Sequence, residues 1–159
     1  MSIYMKIDGI DGSVTAKGFE QWIELNSFHF STSRTISMEA GNSSNRNHGR
    51  PSISEIVVTK SMEQSSFGLL QEALRGDAGK KVTIRIVEIA QDKLRDYVTY
   101  ELEDTLLSGY SVTTGGGVPA ETVNLSYSKI TTSFTATDKS NKSGQPARVV
   151  YDIAQGVAG

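Results

Sequence analysis

The 159-residue chain contains no cysteine and only two histidines, His29 and His48. Without cysteine there is no disulfide, no thiolate nucleophile and no thiolate metal site. The fold is therefore indifferent to the redox state of its compartment. The histidines lie on different segments at no ligand spacing, so they read as structural or surface residues, not as metal ligands or a catalytic base. No cofactor is implied. Charge of one sign is lacking too: the formal net charge is −2, which argues against general affinity for nucleic acid or an anionic membrane. No apolar run approaches the roughly 18–20 residues that cross a bilayer, so membrane insertion is not expected. The opening MSIYMKIDGIDG has no basic segment followed by an apolar stretch, and no cleaved signal peptide is expected. If such a chain leaves the cell, its route needs no such signal.

What the sequence does have is alternation. A chain of this length is one domain by the usual prior, here residues 1–159, and buries about 68–70% of its unfolded surface. Ile3, Met5 and Ile7 alternate with polar neighbours, and Gly9-Ile10-Asp11-Gly12 reads as a turn. A strand is expected from about Phe19 to Ser31, with Ile23 and Leu25 in one phase and Phe28 and Phe30 in the other. A bulge at Asn26-Ser27 would keep all four inward and leave His29 outward. Further strands are expected over Ile53–Lys60, Lys81–Ile89, Tyr97–Thr113, Pro119–Ile130 and Arg148–Ile153. Tyr100, Leu102, Leu106 and Tyr110 mark one long strand, and Val123, Leu125 and Tyr127 its partner across the Gly115–Gly117 loop.

One helix is expected from about Ser65 to Arg75. Phe67, Leu70 and Leu74 form its apolar stripe, widened by Leu69 and Ala73. Ser65 or Ser66 would cap it, and Gly76 would end it in a left-handed turn. Two stretches read as irregular: the polar segment from Arg34 to Ser52, and the loop ATDKSNKSGQPA after Phe134. Long loops in compact domains usually carry function.

Catalytic constellations are missing. No G-x-S-x-G turn is present for a serine nucleophile. Glu101, Glu103 and Asp104 cluster on one strand, but the first two share a face opposite Tyr100 and Leu102, as a solvated face would. GDAGKK, from Gly76 to Lys81, is too short for a phosphate loop and leads into a strand. The chain is not expected to be an enzyme.

Four segments in order resemble the Hcp family, the tube-forming protein of bacterial type VI secretion. They are YMKIDGIDG, WIELNSFHF, TKSMEQSSFGLL and YELEDTLLSGYSV…GGG…PAETVNLSYSKI, together spanning Tyr4 to Ile130. Two departures stand out. Phe67 replaces a proline common near the helix start, and Phe28 and Phe30 stand where tryptophan is frequent. The resemblance implies a mainly β fold, a small antiparallel β-barrel of two curled sheets with one α-helix packed at its side. It implies homohexameric rings stacked into a hollow tube, driven out by a contractile sheath with a spike protein of the VgrG type, and carrying small effectors. The assembled protein would sit in the bacterial cytoplasm and then be secreted. The Arg34–Ser52 excursion is the expected ring-stacking loop, through Gly41, Asn42, Asn45, Arg46, His48 and Arg50; His29 is the expected lumen-facing residue. A reading from another class is a monomeric β-barrel or β-sandwich carbohydrate-binding module, with Trp22, Tyr97 and Tyr110 as its only loose aromatic candidates. A hydrolase is the third reading and has least behind it.

Overall fold

The computed structural model describes residues 1–40, 42–136 and 144–159, and among these all side chains except those of 37–39 and 42–48. The chain opens with β1 (Ser2–Ile7), whose alternation buries Met5 and Ile7 in the main core. Tyr4, on the opposite face, is buried as well, in a small cluster with Phe19, Trp22 and Val87. The strand expected from Phe19 starts later, at β2 (Ile23–Leu25). Residues 11–22 instead form a cover over the outer face of β1. Phe19 and Trp22, edge-on to each other at 5.1 Å, gain more by packing on that face around Tyr4 than by alternating along an edge. Gly12 permits the close approach, since a Cβ there would run into the Trp22 carbonyl.

The phase slip at Asn26 marks a change of partner and not a bulge. After it, β3 (Ser27–His29) leaves β1 and joins the second sheet, and the Asn26 N–H donates to the Thr59 carbonyl at 2.7 Å. All four apolar residues still pack on the core: Ile23 and Leu25 are buried, while Phe28 and Phe30 are half-buried against it. The polar stretch expected to be irregular is a hairpin arm. It comprises β4 (Thr32–Ser33), β5 (Ile36–Glu39), β6 (Asn42–His48) and β7 (Ser52–Ile53). β5 pairs antiparallel with β6, and β4 with β7. Period-two reading needs apolar residues on one face, and a strand such as NSSNRNH offers none.

Next come β8 (Ile56–Ser61), α1 (Ser66–Arg75), β9 (Lys80–Ala90) and β10 (Lys93–Thr113). The connection between β9 and β10 is shorter than the sequence suggests. Only Gln91 and Asp92 form the turn, at φ 50° and 58°, the paired positive values of a tight two-residue hairpin. The usual Asn-Gly signal is absent, which hid it. The stretch Pro119–Ile130 divides at Tyr127-Ser128 into β11 (Ala120–Ser126) and β12 (Lys129–Phe134). Finally β13 (Ala147–Asp152) pairs with β14 (Val157–Ala158), and Gly159 exchanges two backbone hydrogen bonds with Val150. The last residues are thus tied to the sheet.

β10 is the wall common to both sheets. Its first part lies between β9 and β12, and its second part pairs with β11. Between them the strand bends: Asp104 sits at φ 52°, and the β9 register shifts between Leu102 and Thr105. The extra residue puts both Leu102 and Thr105 inside and reverses the phase as far as Leu107, so Leu107 is buried and Leu106 is exposed; a second shift between Leu107 and Gly109 restores it and returns Tyr110 to the core. Gly79 lies against the bend, where a Cβ would collide with Asp104. One sheet runs β2-β1-β9-β10-β12-β13-β14 and the other β10-β11-β8-β3. Among the described residues the hydrogen-bond ladder does not close; the two curled sheets join through the bend of β10 and through Asn26. Between them Met5, Ile23, Ile56, Val58, Ile84 and Leu125 are fully or almost fully inaccessible. The architecture is the mainly β, two-sheet antiparallel barrel with one helix at its side that the resemblance implies.

Candidate functional site

The inward phase of two paired strands carries charge. On β8 the phase is Ile56, Val58, Lys60; on β11 it is Glu121, Val123, Leu125. Lys60 and Glu121 face each other in register, and both side chains have zero exposure. Lys60 Nζ donates to Glu121 Oε1 at 2.5 Å and to the Ser61 carbonyl at 3.0 Å, and it lies 3.1 Å from Glu63 Oε1. Ser66 Oγ donates to Glu121 Oε1 at 2.6 Å, and the Tyr110 hydroxyl donates to Oε2. Burial pushes the Glu121 carboxyl up, but the hydrogen bonds from Lys60, Ser66 and Tyr110 and the Lys60 charge outweigh it and hold the group below its ordinary value. Burial likewise pushes the Glu63 carboxyl up, but hydrogen bonds from Ser65, Lys60 and Ser13 and the Lys60 charge outweigh it and hold the group below its ordinary value. Tyr110 is pushed up, first by burial and then by its bond to Glu121.

A carboxylate held ionised by three donors and closed off from solvent has no proton to give and no oxygen within reach of a substrate. The cluster therefore anchors. Its target is α1: Ser66 Oγ also accepts from the Glu63 N–H at 3.0 Å, and Ser66 is itself buried. With Ser66 inward, Leu69 and Ala73 share its face by helical spacing and pack on the core. This reverses the expected stripe. Phe67 and Leu74 are 76% and 75% exposed, and Leu70 is 37% exposed. Together with Gln71 and Arg75 they line a shallow depression of about 250 Å³ on the outer side of the helix. The caps differ as well. Ser65 makes no side-chain cap bond, and Gly76 is extended (φ −65°, ψ 114°), not left-handed.

The sequence misses this cluster because it weighs ionisable residues by neighbours along the chain. The available signal was phase: Lys60 and Glu121 each continue an apolar alternation on the buried side.

Of the residues expected to stack rings, Gly41 lies outside the described residues. Asn42, Asn45, Arg46 and His48 have their backbone on β6, with side chains outside the described set. Arg50 lies between β6 and β7 of the arm and is exposed. His29 is exposed on β3, opposite Val57, while Phe28 and Phe30 turn inward onto Tyr100 with ring centroids 4.7 Å and 6.1 Å away. Part of the loop expected after Phe134, residues 137–143, also lies outside the described residues.

The aromatic platform that a carbohydrate module would need is not assembled. Trp22 is buried, with the Arg85 guanidinium 5.1 Å from its ring centroid. Tyr110 is bound to Glu121, and Tyr97 meets Phe134 edge-on at 5.1 Å. Among the described residues no group of three or more His, Asp or Glu side chains is placed to hold a metal ion. No helix among them is long and apolar enough to cross a membrane.

Against this geometry the comparisons fall on one family. The family described as type VI secretion system effector, Hcp, matches residues 4–134. A structure titled as that of a type six secretion system protein superposes with a TM-score of 0.90 at 25% identity, covering 99% of both chains. Hcp1 from Salmonella typhimurium gives 0.74 at 20% identity, over 97% of this chain and 95% of that one. A type VI secretion system effector from Yersinia pestis gives 0.72 at 18% identity, over 94% and 98%. No curated protein sequence is similar enough to count as a match. With the family matched from the first strand to the end of β12, and a superposition running the whole length, the chain belongs to the Hcp family of the type VI secretion system.

Proposed function

We propose that the protein is a subunit of the type VI secretion inner tube: six copies close into a ring, rings stack, and the bore carries small effectors. The observation that carries this reading is the family match over residues 4–134, on a chain whose buried charges hold the fold together and offer no reacting group. The physics is compatible. One patch on each copy meeting a different patch on the next gives a closed ring when the rotation closes. The exposed edges of an unclosed β ladder are a liability that neighbouring copies can cover.

Stacking falls to the arm of β4–β7, with Gly41, Asn42, Asn45, Arg46, His48 and Arg50 as its contact residues. A polar two-stranded projection reaches beyond the barrel and makes reversible, hydrogen-bonded contacts with the next ring. His29 is the lumen-facing position, because a polar side chain on the outer face of β3 lets cargo slide where a large apolar patch would grip. A contractile sheath, a VgrG-type spike and secreted effectors are the partners this role needs. Assembly takes place in the cytoplasm and release is to the exterior. Size-exclusion chromatography with light scattering tests the ring: the reading expects a mass near six times the 17.2 kDa chain. A monomer at high concentration and moderate salt contradicts it.

A further inference from the structure

We propose that the bore does not sort its cargo by charge, because the sheet face that carries His29 is a wall of small, uncharged side chains. This rests on the ring reading, with His29 facing the bore.

Phase and register build the wall. Ile56, Val58 and Lys60 on β8 and Glu121, Val123 and Leu125 on β11 point inward, so the residues between them point outward. Ser27, Thr59, Thr122 and Ser111 then stand side by side across β3, β8, β11 and the second part of β10. His29, Val57, Asn124 and Gly109 form the row on one side of them. Ser61, Ala120 and Thr113 form the row on the other. Among the described residues no Asp, Glu, Lys or Arg takes an outward position on β3, β8, β11 or the part of β10 paired with β11. The nearest charge is Glu55, exposed at the margin of the face, one residue before β8. The aliphatic members do not merge into a patch: Val57 and Leu106 are two strand spacings apart, about 10 Å, with Asn124 and Ser126 of β11 between them.

The chain is not short of charge, with 16 Lys and Arg and 18 Asp and Glu. The outward face of the other sheet carries Lys6, Arg85, Glu101, Lys129 and Arg148. Charge is thus kept to one sheet's outer face and off the other's. In a ring the difference is multiplied, since one lysine on the wall would stand in every copy around an enclosed space. A cleft lined by one sign of charge concentrates partners of the opposite sign and repels its own. A wall without charge does neither. What it offers is neutral hydrogen bonding, of small net worth per bond, and part of that is already spent within the wall. Ser27 and Thr59 share a hydroxyl hydrogen bond at 2.5 Å, and Asn26 Nδ2 donates to Ser61 Oγ at 3.3 Å. The cargo class is therefore small folded proteins of either net charge, admitted by size.

The chain has no cysteine of its own, so one introduced thiol reports on the wall alone. Thr122→Cys sets it in the middle row; Ser111→Cys, with Thr122→Lys as its charged partner, serves should the first variant fold poorly. On assembled rings a small maleimide should label every copy. A maleimide on a long polyethylene glycol chain, crowded by its neighbours in the bore, should label only one or two copies per ring. Cargo is represented by one small monomeric domain in two forms supercharged to opposite net charge, each activated at a single surface cysteine as the pyridyl disulfide. Rates with Thr122→Cys rings, normalised to each form's rate with 2-mercaptoethanol, should agree within about twofold at low salt. Adding Ser111→Lys should split them by roughly tenfold or more in favour of the acidic form, and salt should narrow the split; equal rates there would contradict the reasoning that wall charge sorts cargo. A preference of about tenfold or more in the Thr122→Cys rings themselves overturns the proposal, and if the acidic form is the one excluded, Glu55 governs entry. A wall thiol that neither form reaches overturns it as well. Long-chain labelling of every copy puts the face outside the bore, and no labelling by the small reagent puts it between copies; either overturns the inference and leaves the ring standing. Protein that stays monomeric overturns the ring reading, and the inference with it.

Discussion

Removing the Glu121 carboxylate is the sharpest perturbation of the fold. In Glu121→Leu the Lys60 ammonium stays at zero exposure with its shortest partner gone, and Ser66 and Tyr110 lose their acceptor. Breaking a buried pair from one side costs about 3–5 kcal/mol; Glu63, partly exposed and 3.1 Å from Lys60 Nζ, compensates the ammonium only in part. For a chain of this size each kcal/mol moves the melting temperature by roughly 2–4 °C, so a drop of about 6–20 °C follows. The assay is thermal unfolding at one fixed protein concentration, because assembly would make the midpoint depend on concentration. Lys60→Met alone should destabilise less than Glu121→Leu, since Ser66 and Tyr110 still donate to the carboxylate it leaves behind. The double variant should recover most of the loss, retaining about 1–3 kcal/mol for donors left without an acceptor. The coupling between the two sites should thus exceed about 2 kcal/mol. A Glu121→Leu protein melting within about 2 °C of the parent, or strictly additive losses in the double variant, would refute the reasoning.

Other outcomes follow from the same geometry. Glu121 and Glu63 are both held below the ordinary 4.5; the stability they contribute is present above that value and is lost as pH falls through their lower folded values. Acid titration should therefore show a loss of stability below about pH 4.5, and Glu121→Gln should flatten it; an unchanged acid slope in that variant contradicts the assignment. Gly79→Ala should destabilise by about 1–3 kcal/mol in urea, because its Cβ meets the bend at Asp104; a neutral result would show that the bend yields. Phe67→Ser should change the stability of the dissociated chain by no more than about 0.5 kcal/mol, since the ring is 76% exposed. A loss of several kcal/mol would mean that the helix packs by its Phe67 face after all.

How far the fold was legible depended on where each side chain's partner lay. β1, β8, β9 and β11 announce themselves because one face is apolar and period two survives. The helix was found to within one residue, but its rotation was misread. Phe67, Leu70 and Leu74 make the better stripe by hydrophobicity alone, and Ser66, polar and buried, decides the matter through a residue 55 positions away. The arm escaped because its longest strand, NSSNRNH, carries no apolar residue to mark a period of two. The turn at Gln91-Asp92 escaped because its positive φ values come without glycine. The phase reversal at Asp104 escaped for a related reason: one extra residue flips the side chains up to the next register shift at Leu107–Gly109, and Leu106 changes places with Leu107. What the sequence shows poorly, in each case, is the long-range contact that overrides a local preference.

The ring itself is tested most directly by negative-stain electron microscopy of the purified protein. The account predicts annular outlines with sixfold symmetry and an open bore in class averages. Fields holding only separate compact particles, at high protein concentration and moderate salt, would contradict it.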